Sequence, residues 1–161
     1  MIAIIDSGGA NIASVQFALE RLGAESILTK DVKIIQSADK VLLPGVGAAP
    51  IAMQNLAEYG LIDCIRGLTQ PVMGICLGMQ LLFAASPEGN TPLLGIFDAD
   101  CETFTPAQGR SVPHMGWNRL SKQQDHPLLA GVDEGAHVYF VHSYFAPVTT
   151  QTIAATSYGD D

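Results

Sequence analysis

Val72-Met73-Gly74-Ile75-Cys76-Leu77-Gly78-Met79-Gln80-Leu81-Leu82 passes from a short apolar run, through a cysteine set between two glycines, into leucines at helical spacing. Residues 72–75 read as a buried strand and residues 77–85 as a helix, with Pro71 closing off what comes before. A strand that turns straight into a helix, with glycine two positions either side of a nucleophile, is the Gly-x-nucleophile-x-Gly elbow of an α/β sheet. The turn is sharp, so side chains at Gly74 and Gly78 would collide with neighbouring backbone. It lifts Cys76 to the top of the sheet at a helix N-terminus, where the helix dipole favours an anion. It also turns the Leu77 N–H toward a developing oxyanion. The same residues suit a buried cysteine between two packing glycines, but a strand before and a helix after favour the elbow.

Working outward, the pattern repeats. Ile2–Ile5 is an apolar strand bounded by Asp6-Ser7-Gly8-Gly9. Ile12, Val15, Leu19 and Leu22 share one helical face, with Asn11 as the expected N-cap and Gly23 as the stop. Ser26–Thr29 and residues 41–43 are further strands, the latter ended by Pro44-Gly45-Val46-Gly47. Residues 48–59 and 61–68 have helical periodicity. Strands alternating with helices predict an α/β fold, a mostly parallel central sheet flanked by helices. From about Leu94 the pattern changes to short strands punctuated by Pro106, Gly109, Pro113, Gly116, Pro127 and Gly131, with a longer strand over residues 138–145 and a strand-like run over 152–158. One domain over residues 1–161 is expected.

Composition limits what such a fold can do. Eight Lys plus Arg against sixteen Asp plus Glu give a net charge of −8, which argues against nucleic-acid binding. Charged residues make up 15% of the chain and apolar residues 48%, which excludes a disordered chain and fits a large core or a face kept against a partner. Three scattered cysteines exclude a disulfide framework, and none of them has zinc-ligand spacing. No signal peptide and no apolar run of membrane length is present, so a cytoplasmic protein without membrane, metal or cofactor is expected. Cys64, on an amphipathic helix, and Cys101, in a strand, read as packing residues.

Pro44-Gly45-Val46-Gly47 together with Met73-Gly74-Ile75-Cys76-Leu77-Gly78-Met79-Gln80-Leu81-Leu82 resembles the class I glutamine amidotransferases. Pro113-His114-Met115-Gly116-Trp117-Asn118 and Tyr139-Phe140-Val141-His142-Ser143-Tyr144 narrow the likeness to glutaminase subunits that pass ammonia to a cyclase subunit in histidine biosynthesis. It extends from Ile4-Ile5-Asp6 to Tyr158-Gly159. At Asp6-Ser7-Gly8 the chain departs from the family, which often has an aromatic residue before the glycine.

The resemblance implies that Cys76 attacks the side-chain amide of glutamine, forming a thioester and releasing ammonia. Leu77 and a backbone N–H of the Gly45-Val46-Gly47 segment (Val46 or Gly47) would form the oxyanion hole, after a partner-driven peptide rotation. Gly45, Gln80, Glu88, His142, Ser143 and Tyr144 would bind substrate. Asn11, Met115 and Trp117 would face the cyclase in a heterodimer. The residues themselves leave plainer alternatives: Gln80 as a polar group on a helix face four residues from Cys76, Glu88 as a solvated loop charge, His142 as a hydrogen-bonded structural histidine, Trp117 as a core anchor. In the family the base and its orienter come from a His-Pro-Glu motif near the C-terminus. Here the one His-Pro, His126-Pro127, is followed by Leu128. The expectation is a chain whose C-terminal part is missing and which turns over little glutamine alone. The competing reading is a catalytically incomplete module that binds the cyclase; Pro-His-Met-Gly-Trp-Asn speaks against an unrelated cysteine hydrolase.

Overall fold

The computed structural model describes residues 1–8, 11–107 and 110–159, so Gly9, Ala10, Gln108, Gly109 and the terminal Asp160-Asp161 lie outside the described residues. The chain divides into two compact units, Met1–Cys101 and Glu102–Asp161.

The first unit is built on a four-stranded parallel sheet. In chain order it contains β1 (Ile2–Ile5), α1 (Ile12–Arg21), β2 (Ser26–Thr29), α2 (Val32–Ser37), β3 (Lys40–Gly45), α3 (Ala49–Glu58), α4 (Ile62–Arg66), β4 (Val72–Cys76) and α5 (Leu77–Gln80). A small antiparallel pair follows, β5 (Ala85–Ser86) with β6 (Thr91–Pro92). The sheet order is β2-β1-β3-β4. β1 pairs with β3 only as far as Ile4↔Leu42, whereas β3 and β4 stay paired to their ends, at Gly45↔Cys76. Ala3, Ile4 and Ile5 are all buried. β1 is covered on both faces, which is why it reads as a continuous apolar run instead of an alternating one. Ile35, Val41, Leu43, Leu56, Leu61, Ile65, Leu81 and Leu94 fill the core of this unit.

Three expectations for this unit are corrected. Asn11 precedes α1 but makes no side-chain capping bond. The six-residue helix α2 goes unrecognised in the sequence because its apolar pattern is under two turns long. Its signal is Asp31, whose carboxylate accepts from the N–H groups of Lys33 and Ile34 at 2.8 and 3.3 Å, a proper N-cap. The helix expected over residues 77–85 is a single turn. Leu81, Leu82 and Phe83 leave helical bonding because their carbonyls accept from Leu94, Ile96, Phe97 and Gly95, a long-range partner that periodicity does not reveal. Arg66 anchors that partner segment through Leu94 O at 2.7 Å and Leu93 O at 3.3 Å.

The second unit contains β7 (Glu102–Thr103), β8 (His114–Arg119), β9 (Ser121–Lys122), β10 (His137–His142), β11 (Tyr144–Phe145) and β12 (Ala154–Ala155). β8 and β10 form an antiparallel ribbon running from His114↔His142 to Arg119↔His137, while β7 pairs with β11 and β9 with β12. The strand expected over 138–145 is therefore broken at Ser143, whose carbonyl accepts from Phe104 N at 3.1 Å, and its two parts pair with different partners. Of residues 152–158 only Ala154 and Ala155 pair. Cys101, expected in a strand, lies just before β7.

Candidate active site

In the first unit the chain leaves β1 toward β2, then crosses to β3 on the other side. That reversal makes the carboxyl ends of β1 and β3 the switch point of the sheet, the place where α/β sheets bind ligands. Asp6-Ser7-Gly8 leaves β1 there, Val46-Gly47-Ala48 leaves β3, and Cys76 closes β4 next to its register partner Gly45.

Cys76 sits at φ 55°, ψ −121°. A non-glycine residue held in this region costs about 1–3 kcal/mol, and such strain collects at functional positions. The elbow is packed too tightly for side chains. A Cβ on Gly78 would run into the Leu43 carbonyl of β3, and one on Gly45 would come within 2.7 Å of Gly78 N. The glycines therefore let the β4–α5 turn press against β3 and leave Cys76 exposed above it.

Exposure also separates Cys76 from the other two thiols. Burial raises the pKa of Cys64. At Cys101, burial first and then Asp100 raise it to about 11. With α5 only one turn long, accessibility rather than a macrodipole sets the difference. Mild iodoacetamide treatment followed by peptide mapping is expected to label Cys76 first, by at least about tenfold over either buried thiol. Earlier labelling of Cys64 or Cys101 would contradict this geometry.

Glu88 opens a short 3-10 turn, Glu88–Asn90. Its carboxylate accepts from the Ala49 N–H at 2.8 Å, so it caps α3 from outside, where Ala48 supplies no side-chain cap. A purely solvated charge is thereby excluded. Gln80, the last residue of α5, is buried, and its carbonyl accepts weakly from Cys101 Sγ at 3.8 Å. Leu77 is buried and begins α5, Val46 is exposed, and Gly47 has φ +90°. Asn11 is exposed at the start of α1.

Within the second unit, His142 is hydrogen-bonded at both ring nitrogens. Its Nδ1 lies 2.9 Å from Tyr144 O, which can only accept, so Nδ1 carries the proton. Nε2 then accepts from His114 Nδ1 at 3.1 Å, and His114 Nε2 faces Asn118 Nδ2 at 3.4 Å. Asn118 also donates to Ser157 O at 2.9 Å. Burial, and then the neighbouring His142, hold His114 below the ordinary imidazole range. Ser143 breaks the strand, and Tyr144 pairs with Thr103 across β11 and β7.

The opposite face of the β8–β10 ribbon is apolar and open. Met115 pairs with Val141 and Trp117 with Tyr139. All four are more than half exposed, and Trp117 is 70% exposed, so it is no core anchor. Its ring meets Tyr139 edge-on at 5.6 Å. The sequence reading missed Tyr139 and Val141 as members of this face; the signal was their alternation with Phe140 and His142 on the same strand. Among the described residues no group of three or more His, Cys, Asp or Glu could hold a metal ion, and no helix is long and apolar enough to cross a membrane.

Comparison with known proteins gives a consistent picture. The family model for glutamine amidotransferase class-I matches residues 3–160. The imidazole glycerol phosphate synthase subunit HisH of Xanthomonas axonopodis pv. citri is 52% identical over 158 residues, covering 98% of this chain and 79% of the relative. The same subunit of Xylella fastidiosa strain Temecula1 gives the same identity and coverage. Among solved structures, a glutamine amidotransferase superposes with a TM-score of 0.72 at 20% identity, covering 95% of this chain and 78% of its own. A putative GMP synthase subunit from Thermoplasma acidophilum reaches 0.68 at 18% identity, covering 98% and 73%. These two structures share the fold.

Proposed function

The chain belongs to the class I glutamine amidotransferase family, and on that premise we propose that it hydrolyses L-glutamine as the glutaminase subunit of an imidazole glycerol phosphate synthase. Cys76, exposed on a left-handed elbow beside Gly45, carries the reading. Its thiolate attacks the amide carbon of the glutamine side chain. The carbonyl oxygen gains the negative charge, the nitrogen takes up a proton from solvent, and the C–N bond breaks as the oxyanion collapses to the thioester and ammonia leaves. Water then cleaves the thioester to glutamate and regenerates the thiol. In this reading the tetrahedral oxyanion is held by the Leu77 N–H and by a backbone N–H of Val46 or Gly47. Gly47, at φ +90° with open space around its α-carbon, supports a peptide there that can rotate into place. Gly45, Gln80 and Glu88 would receive the substrate, and the family resemblance gives the backbone of His142, Ser143 and Tyr144 a substrate-binding role as well. A carboxylate suits its ammonium group, and backbone donors suit its carboxylate.

The ammonia would pass to a cyclase subunit that makes imidazole glycerol phosphate and aminoimidazole carboxamide ribonucleotide, both proteins residing in the cytoplasm. The apolar ribbon face of Met115, Trp117, Tyr139 and Val141, together with Asn11, would dock the cyclase. Exposed aromatic patches of this kind supply the anchors of protein interfaces.

A second reading, a module that docks on the cyclase without turning glutamine over, is favoured by the histidines. The rings of His114 and His142 are engaged with each other. Glutamine labelled with ¹⁵N in its side-chain amide separates the two. With the cyclase and its nucleotide substrate present, the label is expected in the imidazole ring of the product. A stable complex whose product takes nitrogen only from added ammonium would favour the docking module instead.

A further inference from the structure

The turn after β1 holds a residue that the proposed mechanism does not use. Ser7 is 5% exposed. Its hydroxyl donates to the Pro44 carbonyl at 3.2 Å, and its own carbonyl accepts from Asn55 Nδ2 at 2.9 Å. Pro44 lies just before the Gly45-Val46-Gly47 segment and Asn55 on α3 just after it. One residue thus ties the strand that enters this segment to the helix that leaves it.

The sheet explains why the tie is needed. β1 and β3 stop pairing at Ile4↔Leu42, and β1 veers toward β2, where Asp6 N donates to Thr29 O at 3.1 Å. The β1-facing side of β3 beyond Leu42 therefore lacks ladder bonds. The Ser7 hydroxyl takes over at Pro44. The turn is itself fixed: Gly8 N donates to Asp6 Oδ1 at 3.1 Å, Asp6 pairs with Lys30 at 3.6 Å, and the Lys30 ammonium lies 3.7 Å from the centroid of the Tyr59 ring at the end of α3. At the far end of the segment the Glu88 carboxylate holds Ala49 N. Both ends are pinned, and the exposed Val46 and the left-handed Gly47 lie between them.

We infer that Ser7 is a positioning residue for glutamine hydrolysis, stapling Pro44 to α3 through Asn55 so that only the Val46-Gly47 stretch reorients to present an N–H to the oxyanion. The inference rests on the glutaminase reading above. A hydroxyl tuned to the transition state through this loop affects turnover rather than substrate affinity.

The test uses the complex with the cyclase, carrying Ser7→Ala, Ser7→Thr and Asn55→Ala, and with Cys76→Ala as control. Ser7→Ala is expected to lower kcat for glutamine about tenfold, the effect of one lost buried hydrogen bond on a barrier, with KM within about twofold. Ser7→Thr restores kcat, Asn55→Ala lowers it in the same sense, and synthesis from free ammonia is unchanged in all three. If Ser7→Ala yields no soluble protein, the half-buried Asn55 carries the same test. Unaltered kcat in Ser7→Ala, or in Asn55→Ala when that variant stands in, or a KM rise with constant kcat, overturns the staple while Cys76→Ala still abolishes glutamine use. A complex in which Cys76→Ala changes nothing, or which uses no glutamine at all, overturns the glutaminase reading and the staple with it.

Discussion

Cys76→Ala is expected to abolish glutamine-dependent synthesis by the complex with the cyclase, by about 10⁴-fold or more, while synthesis from free ammonia continues at its usual rate. The two halves of this result test different things. Removing the sulfur removes the atom that forms the thioester, and no backbone donor or positioned water replaces a covalent intermediate. A loss of 10⁴ corresponds to about 5.4 kcal/mol of transition-state stabilisation. The substitution should scarcely disturb the fold, because Cys76 is exposed and its side chain packs into no core. Alanine also tolerates the strained backbone no worse than cysteine does. Steady-state assays with glutamine and with ammonium salt, run on the same preparation, read both halves. If both activities fall together, Cys76 holds the interface or the fold and is not the nucleophile.

Gly78→Ala is the second large effect, and it acts on stability. The added methyl group would occupy the place of the Leu43 carbonyl oxygen on the neighbouring strand. A flexible side chain could swing away from such a methyl, but a carbonyl within a parallel ladder cannot. Overpacking against a side chain costs about 1–3 kcal/mol. Against backbone the cost should exceed about 3 kcal/mol, a drop of roughly 6–12 °C in Tm for a chain of this size. Gly67→Ala is the matched control. Gly67 follows α4, and a Cβ there would meet the Asp63 carbonyl oxygen at 3.3 Å, a contact that a slight shift relieves. Thermal unfolding of the two variants should differ by several degrees. Equal midpoints would mean that the elbow does not press on β3 as described.

Much of this architecture is legible in the residues because short apolar parallel strands and the elbow announce themselves locally. Ile2–Ile5, Ser26–Thr29 and the strand ending in Pro44-Gly45 stand where their apolar runs put them. The Gly-x-Cys-x-Gly stretch lies on a strand-to-helix turn, as its glycines require. What escapes the sequence depends on distant partners. Leu81-Leu82-Phe83 has the spacing of a helix, yet its carbonyls are claimed by residues 94–97. Glu88 looks like a loop charge until Ala49 is brought to it from 39 positions away. Ser7 looks like a mere departure from the family pattern, and its partner Pro44 is 37 positions distant. His142 shows the intermediate case: strand alternation turns it inward and Tyr144, two residues on, holds its Nδ1, but only the fold supplies His114 as the partner of its Nε2.

The single tryptophan of the chain projects from the β8–β10 ribbon into solvent beside Tyr139. The indole chromophore therefore samples one patch of the surface and nothing of the interior. Its emission reports the hydration of that patch alone. A blue shift marks the moment when something apolar settles over Met115, Trp117 and Val141, with no dye or tag attached.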